Sequence, residues 1–150
     1  MSNARQLTGN IGVYHVAREL SRQGWNVLLT VRNARGADLY AISQSERIVV
    51  PIQVKAHTAK PNDIELGLNP ERLVTPWWVV VAFAQTENPI SYVVSLTDIL
   101  ALKIQDPGVR SGKAEHERKW WFSRHYFTPA SDRELIEARE AWHRLGDPAG

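Results

Sequence analysis

The fold is decided by residues 35–55, which read RGADLYAISQSERIVVPIQVK. Gly36 indicates a turn that places Asp38 near the start of a strand over Ala37–Ser43. A second strand over Arg47–Lys55 has the alternating pattern of a half-buried strand. The stretch therefore predicts a β-hairpin whose two strands bring polar side chains to one end of a sheet.

Three polar side chains of this hairpin point to phosphodiester chemistry. Gln53 and Lys55 are two positions apart, so both leave the same face of their strand, where burial is costly unless they serve a function. Asp38 and the side-chain carbonyl of Gln53 are hard oxygen ligands for a divalent cation, while Lys55 can stabilise charge that develops on phosphorus. We therefore predict Asp38, Gln53 and Lys55 as catalytic residues, with Asp38 and Gln53 as the ligands of a weakly bound Mg²⁺ or Mn²⁺. Asp63 and Glu65, in the next loop, are weaker candidates to complete the metal shell.

The flanking sequence predicts an α/β domain. The pattern is irregular over His57–Pro76 and periodic on both sides of it. The expected elements are a helix over Asn10–Gln23, strands over Trp25–Val31, Trp77–Ala84 and Ile90–Ser95, a short helix over Thr97–Ile104, and a final helix that begins at the capping box of Ser131 and Glu134 and runs to Leu145. We expect one domain over residues 1–150, with 1–7 and 146–150 flexible.

The helix followed by this hairpin resembles the core of the PD-(D/E)XK, or restriction-endonuclease-like, nuclease superfamily. The resemblance covers roughly residues 8–60, and the whole chain looks similar to small uncharacterised bacterial members. It implies a restriction-endonuclease-like core, a mixed sheet of about five strands flanked by an N-terminal and a C-terminal helix. Asp38 matches the metal-binding acid, and Gln53 and Lys55 match the Q-X-K variant of the second motif. Many relatives carry a Glu in the first helix at the place where this chain has Val13.

Charge is distributed unevenly along the chain. Residues 1–60 carry eight Lys or Arg against three Asp or Glu, whereas residues 61–109 carry two against six. A basic first third is compatible with a surface that faces phosphates. The cations that flank the two motif segments are therefore predicted to contact DNA, and they are Arg32, Arg35, His57 and Lys60.

Composition excludes several other classes of protein. The chain has no cysteine, so disulfides, thiolate zinc sites and cysteine nucleophiles are ruled out. We find no apolar run long enough to span a membrane and no hydrophobic core of a signal peptide, and we expect a cytoplasmic protein. The basic and aromatic stretch Arg110–His125 suits single-stranded nucleic acid, although the alternative, a hairpin whose aromatic rings pack on the sheet, is favoured.

Three functions remain open from the sequence. The first is a Mg²⁺-dependent DNA nuclease, which Asp38, Lys55 and the basic first third favour. The second is a catalytically degenerate member of the fold that binds nucleic acid, and the third is a protein-interaction module. Val13 and Gln53 favour these last two. A homodimer or a partner subunit would offer a source for missing ligands.

Overall fold

The computed structural model describes residues 2–34, 36–128 and 131–150. Its elements, numbered in chain order, are the helices α1 (Ser2–Arg22) and α2 (Leu96–Leu102) and the strands β1 (Asn26–Ala34), β2 (Ala37–Ile42), β3 (Val49–Ala56), β4 (Ile64–Gly67), β5 (Trp77–Ala82), β6 (Ile90–Ser95), β7 (Ile104–Gln105) and β8 (Trp120–Phe122). In the described part of the chain, no helix is both long and apolar enough to cross a membrane.

The central sheet has five strands in the order β1-β2-β3-β5-β6. All neighbours are antiparallel except β3 and β5, which run parallel. The predicted α/β class, with a mixed five-stranded sheet and an N-terminal helix, is confirmed, and α2 is the later helix. Pro51 removes no hydrogen bond from the ladder between β3 and β5. That ladder begins only at the next residue, Ile52, so the proline lies before its first pair.

The sheet separates two hydrophobic cores. Alternation along β3 sends Ile52 and Val54 toward α1, where they pack with Leu20. The other face packs under the small sheet β4-β8-β7, with Phe122 fully buried and Trp120 packed against it. The packing alternative for the aromatic hairpin is therefore what the structure shows. Gln53 and Lys55 lie on this second face of β3.

Helix α1 lies directly on the end of β3 because Gly12 has no side chain. A methyl group built at Gly12 would overlap the Cβ atom of Ala56, whereas one built at Gly9 would meet nothing within 4 Å. We expect Gly12→Ala to lower the free energy of unfolding by about 1–3 kcal/mol through overpacking. Gly9→Ala, its matched control in the same helix, should raise it by about 0.5–1 kcal/mol. Denaturant unfolding checks both, and equal effects of the two changes would contradict the packing argument.

The single helix predicted after Ser131 is wrong. That segment instead contains two short 3₁₀ turns, at Ile136–Ala138 and Trp142–Leu145. Between them Arg139 forms an antiparallel bridge with Tyr92 of β6, and the next residue, Glu140, donates its N–H to Ser91 O at 2.7 Å with φ +51°. Pairing with the edge strand has thus overridden helix propensity. The side chain of Glu134 pairs with Arg139 instead of capping a helix.

Both terminal segments have defined positions. Residues 2–7 form the first turns of α1. The last residues lie against the turn between β2 and β3, where Gln44 N donates to Pro148 O at 2.8 Å and Ser45 Oγ donates to Gly150 O at 3.2 Å. Their flexibility in solution stays a prediction.

Candidate functional site

Asp38 lies where β1 loses register with β2. The two strands pair up to Leu29 opposite Leu39, and pairing resumes only at Ala34. Within this bulge Thr30 Oγ1 lies 3.0 Å from the carbonyl oxygen of Asp38 and equally close to that of the preceding residue. The hydroxyl group therefore fixes the β2 backbone at the point where the strands diverge.

Asp38 also lies at the point where β2 and β3 separate, which we call the fork. The ladder between these strands ends at Leu39 opposite Ile52. Beyond it, Val54 N–H donates to Asp38 Oδ2 at 2.7 Å. The carboxylate thus takes the position of a main-chain acceptor, and it lies between the two strands at the end of their ladder.

Opposing effects act on the pKa of Asp38. Burial raises the pKa of this carboxyl above its ordinary value, and burial outweighs both the hydrogen bond from Val54 and the positive charge of Lys55, which lower it. Lys55 therefore lies close enough to Asp38 to interact with it electrostatically. A half-buried acid whose pKa is shifted by burial and by a nearby lysine is typical of functional sites.

On the side of α1, Asp38 lines a small pocket. The helix contributes Asn10, Val13 and Tyr14 to this pocket, and β1 contributes Thr30 among others. Val13 is thus placed next to the candidate acid, at the position where the resemblance expects a glutamate. The pocket offers no second carboxylate among its described lining residues.

Gln53 and Lys55 line a cleft on the other face of the sheet, together with Arg72, Glu65 and Trp78 among others. Parallel pairing places Gln53 directly beside Trp78. Lys55 Nζ lies 5.8 Å from the centroid of the Trp78 ring, so the ring supports the ammonium group.

Gly36 allows the tip of the β1–β2 hairpin to reach this cleft. Its φ is +86°, and a Cβ atom there would lie 3.1 Å from Thr75 Oγ1 and 3.5 Å from Gln53 Oε1. A side chain at this position would strain the turn and crowd Gln53.

The structure therefore brings Gln53 and Lys55 into one cleft, whereas Asp38 lines the separate pocket beside α1. Sequence reasoning missed Arg72 and Trp78 as cleft residues. Arg72 ends a 3₁₀ turn in a segment whose sequence pattern is irregular, and Trp78 belongs to a strand whose sequence is apolar throughout. Only the register of β3 against β5 reveals the position of Trp78.

The weaker metal candidates are engaged elsewhere. Asp63 Oδ1 accepts a hydrogen bond from Arg124 N at 2.8 Å. Glu65 reaches the cleft but forms an ion pair with Lys119, the residue before the neighbouring strand β8. In the described ranges, no three His, Asp or Glu side chains are grouped so that they could hold a metal ion. The oxygens of Asp38 and Gln53 are of the type that Mg²⁺ prefers, and a single carboxylate fits weak binding.

Two of the four predicted DNA contacts lie together. His57 and Lys60 line a cavity at the start of α1, which we call the amino-terminal cavity and which also includes Arg5, Thr8 and Asn62. Burial and the charge of Lys55 both lower the pKa of His57. Arg32 belongs to β1, and Arg35 lies outside the described residues. Their roles stay predictions.

Comparison with known proteins places the fold. The chain is similar to the bacterial homing endonuclease I-Ssp6803I, with a TM-score of 0.57 over 93% of this chain and 89% of that chain, at 16% sequence identity. No known family profile matches the sequence, and no curated protein does. The fold is thus nuclease-like, and at this identity the likeness is one of fold alone.

Proposed function

We propose that this protein is a nuclease that binds DNA and hydrolyses its phosphodiester bonds, with the help of a weakly held divalent cation. The observation that carries the proposal is the fork at Asp38, where a half-buried carboxylate stands between two strands and the positive charge of Lys55 acts on it. That the structural neighbour is a homing endonuclease supports DNA as the substrate.

Each residue has a distinct role in this proposal. Asp38 and Gln53 would hold the cation, which supplies charge stabilisation at the phosphate and lowers the pKa of a bound water. Lys55 stabilises the negative charge that develops on the phosphoryl oxygens. The hydrogen bond from Val54 fixes the Asp38 carboxylate, and the Trp78 ring restricts the Lys55 ammonium group. Both side chains are therefore ordered before substrate binds.

A second candidate function is DNA binding without cleavage. It is favoured by the uncharged residues Val13 and Gln53 at the two places where a further carboxylate would strengthen a metal site. Under this alternative the excess of cationic residues in the range 1–60 is retained and the chemistry is lost. Both candidates require salt-sensitive affinity for DNA, because phosphate contacts release counterions.

The deciding experiment incubates the purified protein with supercoiled plasmid and with branched DNA, with Mg²⁺, with Mn²⁺ or with EDTA. Nicking or linearisation that depends on the cation supports the nuclease. Salt-sensitive retention of DNA without any cleavage supports the binding function instead. A protein that fails to retain DNA even at low salt would contradict both and favour the interaction module.

A further inference from the structure

The amino-terminal cavity lies where α1 begins and β3 ends. Arg5 and Thr8 line it from the helix, and residues 56–60 with Asn62 line it from the segment after β3. Three alanines in this lining leave space. The Thr8 hydroxyl is already engaged, since it donates to Ala4 O at 3.0 Å and accepts from Gln85.

The cavity is complementary to an anion. Arg5 and Lys60 are both exposed, and within the described part of the chain neither forms an ion pair. The described lining contains no acidic residue, and the first turn of α1 has none. The cavity also adjoins the amino-terminal end of a 21-residue helix, whose dipole favours negative charge.

His57 adds a donor without an acceptor. Its Nδ1 accepts from Asn62 N at 3.4 Å, so in the neutral ring the hydrogen resides on Nε2. The Nε2 atom is buried and has no hydrogen-bond partner among the described residues. A buried donor of this kind is unfavourable without an acceptor, and because His57 lines the cavity, rotation of its imidazole toward the cavity would let a bound anion supply that acceptor.

The segment that carries these groups is held in place. His57 N donates to Val81 O at 2.8 Å, and Ala84 N donates to His57 O at 2.9 Å. Two residues on, Ala59 O accepts from Phe83 N at 2.9 Å. The segment that leads to Lys60 is thus tied to the end of β5, so little conformational freedom is lost when an anion binds.

We propose that the amino-terminal cavity binds a backbone phosphate of the nucleic-acid strand whose nearby phosphate lies at Asp38 and Lys55. This inference rests on the proposed function and extends it to a second phosphate position. His57 follows Lys55 by two residues, about 7 Å along an extended chain. A nucleic-acid strand that crosses this end of the sheet, from the cleft of Lys55 to the side of α1, can therefore contact both positions.

The test measures the affinity of the full chain for a DNA duplex by fluorescence anisotropy in EDTA, at salt concentrations between about 50 and 200 mM. We expect Arg5→Gln with Lys60→Gln to weaken binding and to reduce the slope of log affinity against log salt by about 0.9, since the cavity holds one phosphate and one phosphate contact is lost. Thr58→Glu, which places a negative charge at an exposed position of the lining, should weaken binding without removing a cation.

The matched control is Arg22→Gln with Arg47→Gln. It removes the same charge from the opposite end of α1 and from the turn before β3. Equal slopes for the two double variants would overturn the phosphate position and leave the nuclease proposal standing. A wild-type protein that binds with the expected slopes but never cleaves would overturn the nuclease and leave the phosphate position standing.

Discussion

Asp38→Asn should abolish cleavage while the protein remains folded. An asparagine oxygen can still accept the hydrogen bond from Val54 N–H, so the fork between β2 and β3 is kept. What disappears is the negative charge, and with it the only carboxylate that the fork contributes to cation binding. We expect the cleavage rate to fall by at least about 100-fold, which corresponds to the loss of several kcal/mol of charge stabilisation. Single-turnover cleavage of plasmid DNA measures the effect.

Asp63→Asn is the matched control for this change. Asp63 also accepts a backbone N–H, from Arg124, but it does not line the cleft that holds Gln53 and Lys55. The control should cleave at the wild-type rate. If Asp38→Asn retains cleavage, the chemistry takes place elsewhere in the protein and the proposed site is wrong.

The same variant has an expected signature in stability. Burial raises the pKa of Asp38 above 3.8, so the folded protein binds this proton more tightly than the unfolded chain does. Ionisation therefore destabilises the fold as the pH rises from 3.8 through the raised pKa. The asparagine side chain does not ionise, so the stability of the Asp38→Asn variant relative to wild type should increase across this range and then stay constant. Thermal unfolding in EDTA at several pH values tests the sign.

Gln53→Glu should raise the affinity for divalent cations by at least about tenfold. The change adds a second carboxylate to the proposed cation site of Asp38 and Gln53, and hard cations respond strongly to ligand charge. Val13→Glu adds a further carboxylate from the pocket on the other side of Asp38, and it should increase the affinity again at some cost in stability, because Val13 is half-buried. Calorimetric titration with Mn²⁺ measures the effect without reference to cleavage.

Gln44→Glu is the control for added charge. Gln44 is exposed in the turn at the opposite end of the hairpin, so this change should leave Mn²⁺ affinity unaltered. If wild type is a weak nuclease, Gln53→Glu should need less Mg²⁺ for cleavage. If the calorimetric titration detects no heat of Mn²⁺ binding in wild type, in Gln53→Glu or in the combined variant, a metal site at Asp38 is excluded.

The sequence predicted the central sheet because each strand carries a local signal. Alternation over residues 47–55 and the apolar run after Pro76 gave their strands to within a few residues. The final helix failed because its signal, a capping box with an apolar stripe, competes with a contact that no local pattern contains. Arg139 pairs with Tyr92, a residue 47 positions earlier, and Glu140 takes a positive φ.

In the candidate site, too, some features have a local sequence signal and others depend on distant contacts. Asp38, Gln53 and Lys55 lie on the paired strands of one hairpin, so their spacing predicted one site at the end of the sheet; Gln53 and Lys55 share a cleft, whereas Asp38 lines the pocket beside α1. The bulge of four residues in β1 opposite Asp38 has no counterpart in the sequence pattern, and neither does the parallel register that sets Trp78 beside Gln53. These features depend on pairings between distant strands and on the position of Thr30.

The hydrogen bond at the fork also makes the Val54 amide a spectroscopic probe of Asp38. The Val54 amide proton is shielded by a side-chain carboxylate rather than by the main chain of β2. Its hydrogen–deuterium exchange and its amide chemical shift should therefore follow the protonation of Asp38 and the arrival of a cation. The amide protons of the regular ladder, such as that of Ala41, have no reason to respond. The resonance of this one amide would therefore show in solution whether a cation is bound at Asp38, without any measurement of DNA cleavage.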